Sequence, residues 1–346
     1  MSMMKSSMFI FALSMYATGI ATAAEMPVLK AGHPSLKEWI LPAVPTPADN
    51  VPNAARVNLG RHLFFDPRLS GDGNMSCATC HNPGLGWSDG LPTGKGVKSM
   101  ALDRASPTII NSAYNKIMMW DGRKKNLEDQ AMGPMEANSE MNMDTAKLFK
   151  WLNETDGYRK LFEVAYPKEG INANTLAKAM ATFERTVVMK DSPFDRWIAG
   201  DAKAMNKQQV RGFGVFLDPA KGNCVACHSA PNFSDSGFHN IGLAAWGKPN
   251  PDMGRYAQKP VEKLKGAFKT PQLHGIALTA PYFHDGSAKT LMDVVNHYEQ
   301  GGEVKTNLAP NMKPLNLTKE DKEDLVAFLN ALTGTVPAVV VPVLPQ

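Results

Sequence analysis

Cys77, Cys80 and His81 stand in the spacing C-x-x-C-H, and Cys224, Cys227 and His228 repeat it. Two thiols spaced this way can add across the vinyl groups of one haem, and the adjacent histidine then lies under the iron as its proximal ligand. The rival chemistry for such a pair is a redox dithiol or a zinc site. The doubled motif uses all four cysteines of the chain. That favours two covalent haem c groups and leaves no thiol for a disulfide. Ligands, their hydrogen-bond partners and access are then what the protein itself contributes.

The chain has 346 residues, enough for two domains with cores of their own. Its net charge of +4 is dispersed and offers nothing to nucleic acid. Lys5, an apolar run over residues 8–20, and Ala21-Thr22-Ala23-Ala24 read as a secretory signal cleaved after Ala23 or Ala24. The run is too short for a membrane anchor. The expected location is the periplasm, without stable membrane insertion. Residues 25–50 are proline-rich and read as an extended arm. Helical patterns precede Phe65 and recur over 145–164 and 175–188. Asn206 with Gln209, and Thr318 with Asp321, are helix-start signals, and Gly334 is the expected residue just past the last helix. The tail over 335–346 is apolar and expected to drape over a domain. Strand signal is scarce.

The two halves echo each other. Residues 60–67 read G-R-H-L-F-F-D-P and residues 212–219 read G-F-G-V-F-L-D-P, each just before a haem motif. Beyond the motifs, Pro107 and Pro271, Asp121-Gly122 and Asp285-Gly286, Leu127 and Leu291, and Asp129 and Asp293 correspond at a constant offset of 164 residues. The fold class implied is mainly α, with two cytochrome c-like haem domains related by internal duplication. They span 25–190 and 191–334, with a boundary near Asp191-Ser192-Pro193. The same offset matches Trp120 with His284, where the repeats are expected to face each other. Either could equally be a buried aromatic with its polar atom satisfied.

These residues resemble the bacterial dihaem cytochrome c peroxidase family, and within it the MauG-like branch. The matching stretches are residues 59–60 and 63–70 (L-G, L-F-F-D-P-R-L-S), 119–123 (M-W-D-G-R), 278–284 (L-T-A-P-Y-F-H) and both haem motifs in order. The resemblance implies an N-terminal haem that meets hydrogen peroxide, a C-terminal haem that relays electrons, and Trp120 between them. It places Gln130 in the distal pocket of the first haem and Glu140 as its acid–base carboxylate. Heterolysis of a bound peroxide needs a proton moved from one oxygen to the other, and burial would raise the carboxyl toward a useful pKa. The family's peroxidase branch caps the first iron with a histidine after the motif. Here no histidine lies between His81 and His228, so an open first site is expected, with Lys98 and Met100 as rival ligands. The family also binds calcium through two backbone carbonyls, matched by Thr279 and Pro281. Its asparagine position reads Ala105, which weakens that site; Asn111 is a substitute without independent support.

Met312, His297 and Tyr298 compete for the distal side of the second haem. Counting 164 residues back from Tyr298 reaches Pro134, so one position offers a phenol over the second haem and no donor over the first. In the resemblance the peroxidase branch has methionine at the place of Tyr298, and the MauG-like branch tyrosine. A phenolate favours oxidised iron where a thioether favours ferrous iron. The leading expectation is therefore an enzyme that uses hydrogen peroxide, stores oxidising equivalents over both haems and oxidises an aromatic residue of a periplasmic protein partner. Trp197 and Trp246 are candidates for the surface exit. The alternatives are a cytochrome c peroxidase fed by a small cytochrome or cupredoxin, and a dihaem electron carrier without a substrate.

Overall fold

A computed structural model describes residues 28–346; the expected export signal lies outside the described residues. The chain is mainly helical, and the only regular strands among the described residues are β1 (Phe238–His239) and β2 (Phe268–Lys269), paired antiparallel. Two helix pairs carry the architecture. Helix α1 (Ala54–Phe65), capped by Asn53, crosses α6 (Ala173–Glu184), capped by Asn172 with Thr175. Helix α8 (Lys207–Leu217) crosses α10 (Lys319–Ala331). The expected capping boxes at Asn206/Gln209 and Thr318/Asp321 both form.

The repeated glycine has a steric reason. A Cβ on Gly60 would lie 2.0 Å from the Ala179 carbonyl oxygen, and one on Gly212 would lie 1.9 Å from that of Asp324. Each helix pair closes backbone to backbone, which only glycine allows. Phe183 and Phe328 then pack beside the two crossings. The Asp-Gly turns match as well. Met119 and Phe283 sit at φ 69° and 71°, and Gly122 and Gly286 at φ 66° and 63°. Isolated bridges pair Met118 with Lys124 and Tyr282 with Ala288. After these turns come α3 (Leu127–Glu136), started by Asn126, and α9 (Leu291–Glu299), started by Thr290 with Asp293.

The helical stretch expected over 145–164 is two helices, α4 (Thr145–Glu154) and α5 (Asp156–Ala165). Thr155 breaks it by turning extended and donating its hydroxyl to Trp151 O at 2.9 Å. The stretch expected over 175–188 ends at Glu184 because Asn111, itself at φ 57°, takes the next backbone groups: its N–H donates to Val187 O and its side-chain oxygen accepts from Met189 N. Gly334 is not the first residue past α10, whose C-cap is Leu332. It serves instead as a close approach, where a Cβ would lie 2.1 Å from Lys190 O.

Two hydrophobic cores form, one around Leu59, Phe64, Met180 and Phe183, the other around Phe194, Phe213, Phe216 and Phe328. The chain ends exchange them. Leu36 and Trp39 of the arm, read from sequence with the first domain, are buried in the second core, where Trp39 meets Phe194, Phe213, Phe216 and Phe233. Burying one such side chain is worth roughly 1.5–3 kcal/mol. The tail runs the other way. Val336 and Val339 pack on the first core, and Pro345 O accepts from Arg68 Nη2 at 2.9 Å.

Candidate dihaem site

Ser76 starts the short helix α2 (Cys77–Cys80), and its own N–H donates to the Thr79 hydroxyl at 3.0 Å. His81 ends that helix, with its N–H on Cys77 O. At the second motif the His228 N–H likewise bonds Cys224 O. The imidazoles are aimed by one device used twice. His81 Nδ1 lies 3.4 Å from Trp87 O, and His228 Nδ1 2.9 Å from Phe233 O. A carbonyl only accepts, so Nδ1 carries the proton and Nε2 keeps its lone pair for a metal. Both carbonyls are turned inward by an aromatic residue in left-handed backbone, Trp87 at φ 58° and Phe233 at φ 51°. Burial holds both imidazoles below their usual pKa, hence neutral.

No disulfide joins any of the four cysteines. Burial pushes Cys80 and Cys227 up to about 11 and Cys224 up to about 12. Redox dithiols and zinc sites need thiolates, which a nearby cation or helix end would supply. Cys227, Asp235 and His239 do cluster, but His239 Nε2 is spent on Asp235 at 2.7 Å. Each thiol pair instead lines a cavity together with its histidine, of about 880 Å³ at Cys77, Cys80 and His81 and about 250 Å³ at Cys224, Cys227 and His228. Thiols in this state, with a free Nε2 beside them, fit covalent haem.

Gln130, Pro134 and Glu140 all line the first cavity. Burial raises the Glu140 carboxyl above the usual range, opposed by Arg123. The rival ligands Lys98 and Met100 are exposed, and neither lines the cavity. Tyr298 and Met312 both line the second cavity. The Tyr298 hydroxyl makes no hydrogen bond to a described residue, and burial pushes its pKa up. His297, next to it on α9, is used elsewhere: Nε2 bonds Ile241 O at 2.9 Å and Nδ1 lies 3.6 Å from Glu303.

Trp120 lines both cavities. Its Nε1–H donates to Ala105 O at 2.9 Å, and its ring meets His284 edge-on at 6.3 Å. His284 stacks on Phe268 at 3.5 Å and, of the two haem cavities, lines the second. The wall is built reciprocally. Ala105 N–H donates to His284 O at 2.7 Å, and Lys269 N–H donates to Trp120 O at 2.8 Å. Ala105 and Lys269 are themselves 164 residues apart. Sequence reasoning missed Lys269, although the offset already pointed from Ala105 to it. It also missed Glu184, a buried carboxyl in the first cavity that burial pushes up to about 8. The proposed exits divide. Trp197 is buried against Phe213, whereas Trp246 is partly exposed and donates to Thr306 O.

The calcium donors fare less well. Thr279 and Pro281 line the second cavity, but Ala105 has no side-chain oxygen and Asn111 Oδ1 holds Met189 N. Calcium takes 6–8 oxygens, and this donor set does not fit it. Among the described residues no helix is long and apolar enough to cross a membrane.

Known proteins are similar to this chain in sequence and fold. The family described as di-haem cytochrome c peroxidase matches residues 54–203, and a RoxA-like, cytochrome c-like family matches residues 267–300. A methylamine utilization protein MauG of Methylophilus methylotrophus is 41% identical over 306 residues, 88% of this chain and 90% of that protein. A cytochrome c551 peroxidase of Pseudomonas aeruginosa is 37% identical over 293 residues, 83% of this chain and 81% of that protein. The crystal structure of a MauG-like protein associated with microbial copper homeostasis superposes with a TM-score of 0.78 at 30% identity, covering 86% of this chain and 95% of that one. The chain belongs to the di-haem cytochrome c peroxidase family, as a MauG-like haem-dependent oxidoreductase that carries two haem c groups.

Proposed function

We propose that this protein uses hydrogen peroxide at the first haem site to oxidise an aromatic residue of a protein partner in the periplasm, in the MauG manner. The observation that carries the reading is Tyr298: a half-buried phenol without a hydrogen bond to a described residue, lining the cavity of His228, while its counterpart Pro134 brings no donor to the cavity of His81. The haems, once bound, supply peroxide activation and storage of oxidising equivalents. The chain's own residues do the rest. Cys77 and Cys80, and Cys224 and Cys227, would hold the two groups covalently, and His81 and His228 would offer each iron a nitrogen. Glu140 moves the peroxide proton and Gln130 orients the peroxide. Trp120, its N–H held by Ala105 O, fills the gap between the sites. Tyr298 would offer the second group a hard oxygen donor, which favours oxidised iron. The two units, 25–190 and 191–334, descend from one duplicated haem domain; the matched turns and helix crossings support this. A substrate-free electron carrier is set aside by the family.

A second reading, a cytochrome c peroxidase fed by a small electron-donor protein, is favoured by Met312, which lines the same cavity as Tyr298. Spectra of the oxidised holoprotein separate the two. The first reading expects no methionine-to-iron charge-transfer band and a changed second-haem spectrum in Tyr298→Phe with both haems still attached. A band that disappears in Met312→Ala gives the site to methionine and the function to peroxide reduction.

A further inference from the structure

Lys269 is almost fully buried on β2 and lines both haem cavities. Its backbone is fixed by the bond to Trp120 O. Its ammonium has one long contact, 3.4 Å to Thr270 O, and no carboxylate of a described residue within ion-pair distance. Asp235, the acid whose field it feels, is already engaged: Oδ2 by His239 at 2.7 Å and Oδ1 by the Gly237 N–H at 2.7 Å. A buried ammonium without an anion is costly, and burial pushes this one down to about 8.

The architecture does not ask for a lysine here. Across the wall Ala105 performs the same backbone task with a methyl group. The backbone bond at this position therefore does not require the long cationic side chain of a residue that lines both cavities. Haem c brings the missing anions, because its propionate carboxylates are the charged groups that occupied cavities would add.

We propose that Lys269 is the anion anchor of the wall between the two haem sites, its ammonium pairing with a haem propionate carboxylate. It is a positioning residue: it fixes the edge of a haem and neutralises charge beside Trp120. The inference rests on two bound haems and not on which use of peroxide holds.

The test is a spectroelectrochemical titration of the holoprotein, following each haem by its own absorption. In Lys269→Met the propionate loses its counter-charge, which favours ferric iron. The reduction equilibrium of one haem should move at least about tenfold toward the oxidised form, which is 59 mV downward for a one-electron couple. Lys269→Arg, which keeps the charge, should stay near the wild type. The haem that shifts is the one whose propionate is held. Unchanged potentials in Lys269→Met with both haems attached overturn the proposal, as do equal shifts in the Met and Arg variants. Should Lys269→Met fail to mature, Lys269→Gln is titrated in its place. In that case the propionate bending band in the resonance Raman spectrum of Lys269→Arg must also move relative to wild type, and an unmoved band overturns the pairing.

Discussion

Replacing Glu140 by glutamine keeps the side chain's shape and removes its base. The carboxyl lines the first cavity without a hydrogen bond to any described residue, so the substitution breaks no protein hydrogen bond and haem attachment should be intact. A positioned acid–base group contributes roughly 10²–10⁴-fold in rate, or about 2.7–5.4 kcal/mol of barrier. The low end or below is expected here. Glu184 lines the same cavity with its carboxyl pushed up to about 8 by burial, and it and water can carry part of the proton traffic. The prediction is a loss of at least about tenfold, near 1.4 kcal/mol. Rapid mixing of oxidised holoprotein with hydrogen peroxide, followed in the haem absorption, reads it directly. The pH profile supplies a second readout. Burial raises the Glu140 carboxyl, against Arg123. A base works only when ionised, so the wild-type rate should climb with pH through that raised pKa and then level. The glutamine variant should lack that limb. An unaltered rate at every pH, with both haem spectra intact, refutes the assignment and leaves Glu140 a bystander.

Mass spectrometry of the mature protein should show two haem additions, and Cys224→Ala with Cys227→Ala should remove one; a bound zinc ion instead would end the haem reading. Gly212→Ala drives a Cβ against the Asp324 carbonyl oxygen and should cost at least about 1–3 kcal/mol in denaturant melts, the usual range for overpacking; a loss under half a kilocalorie would mean the α8–α10 crossing is looser than described. Trp120→Phe keeps bulk but forfeits the 2.9 Å bond to Ala105 O, so both haems should attach while arrival of oxidation at the second haem slows; equal kinetics would remove Trp120 from the path. Burial raises the Asp252 carboxyl, but hydrogen bonds from Arg104 and Gly254 outweigh it and hold the pKa below the usual range. This linkage stabilises the protein above the unfolded pKa of about 3.9 and is lost as pH falls through the folded value. Asp252→Asn should therefore lower stability at pH 7, and the difference from wild type should shrink as the pH is taken progressively below about 3.9, checked by paired denaturant melts.

The chemistry was legible in the sequence because haem attachment is local. Cys77, Cys80 and His81 fall within five residues of one another, so any fold that presents that turn presents all three. The helix caps at Asn206 and Thr318 were legible for the same reason, since a cap bonds within three residues. The matching glycines, Asp-Gly turns and constant offset could be read because the same steric problem arises at both places, visible afterwards at Gly60 and Gly212. Tertiary structure decided what depends on residues far apart in the chain. It turned His297 onto Ile241 O and left Tyr298 facing the second cavity, a choice between neighbours on one helix that local pattern does not make. It ended the helix at Glu184 through Asn111, more than seventy residues earlier. It placed Trp39 in the second core and Val339 on the first, because an apolar arm is buried wherever complementary surface stands and periodicity carries no address. It also put Lys269 opposite Ala105 across the wall, where a lysine unremarkable in the chain becomes a buried charge between two haem sites.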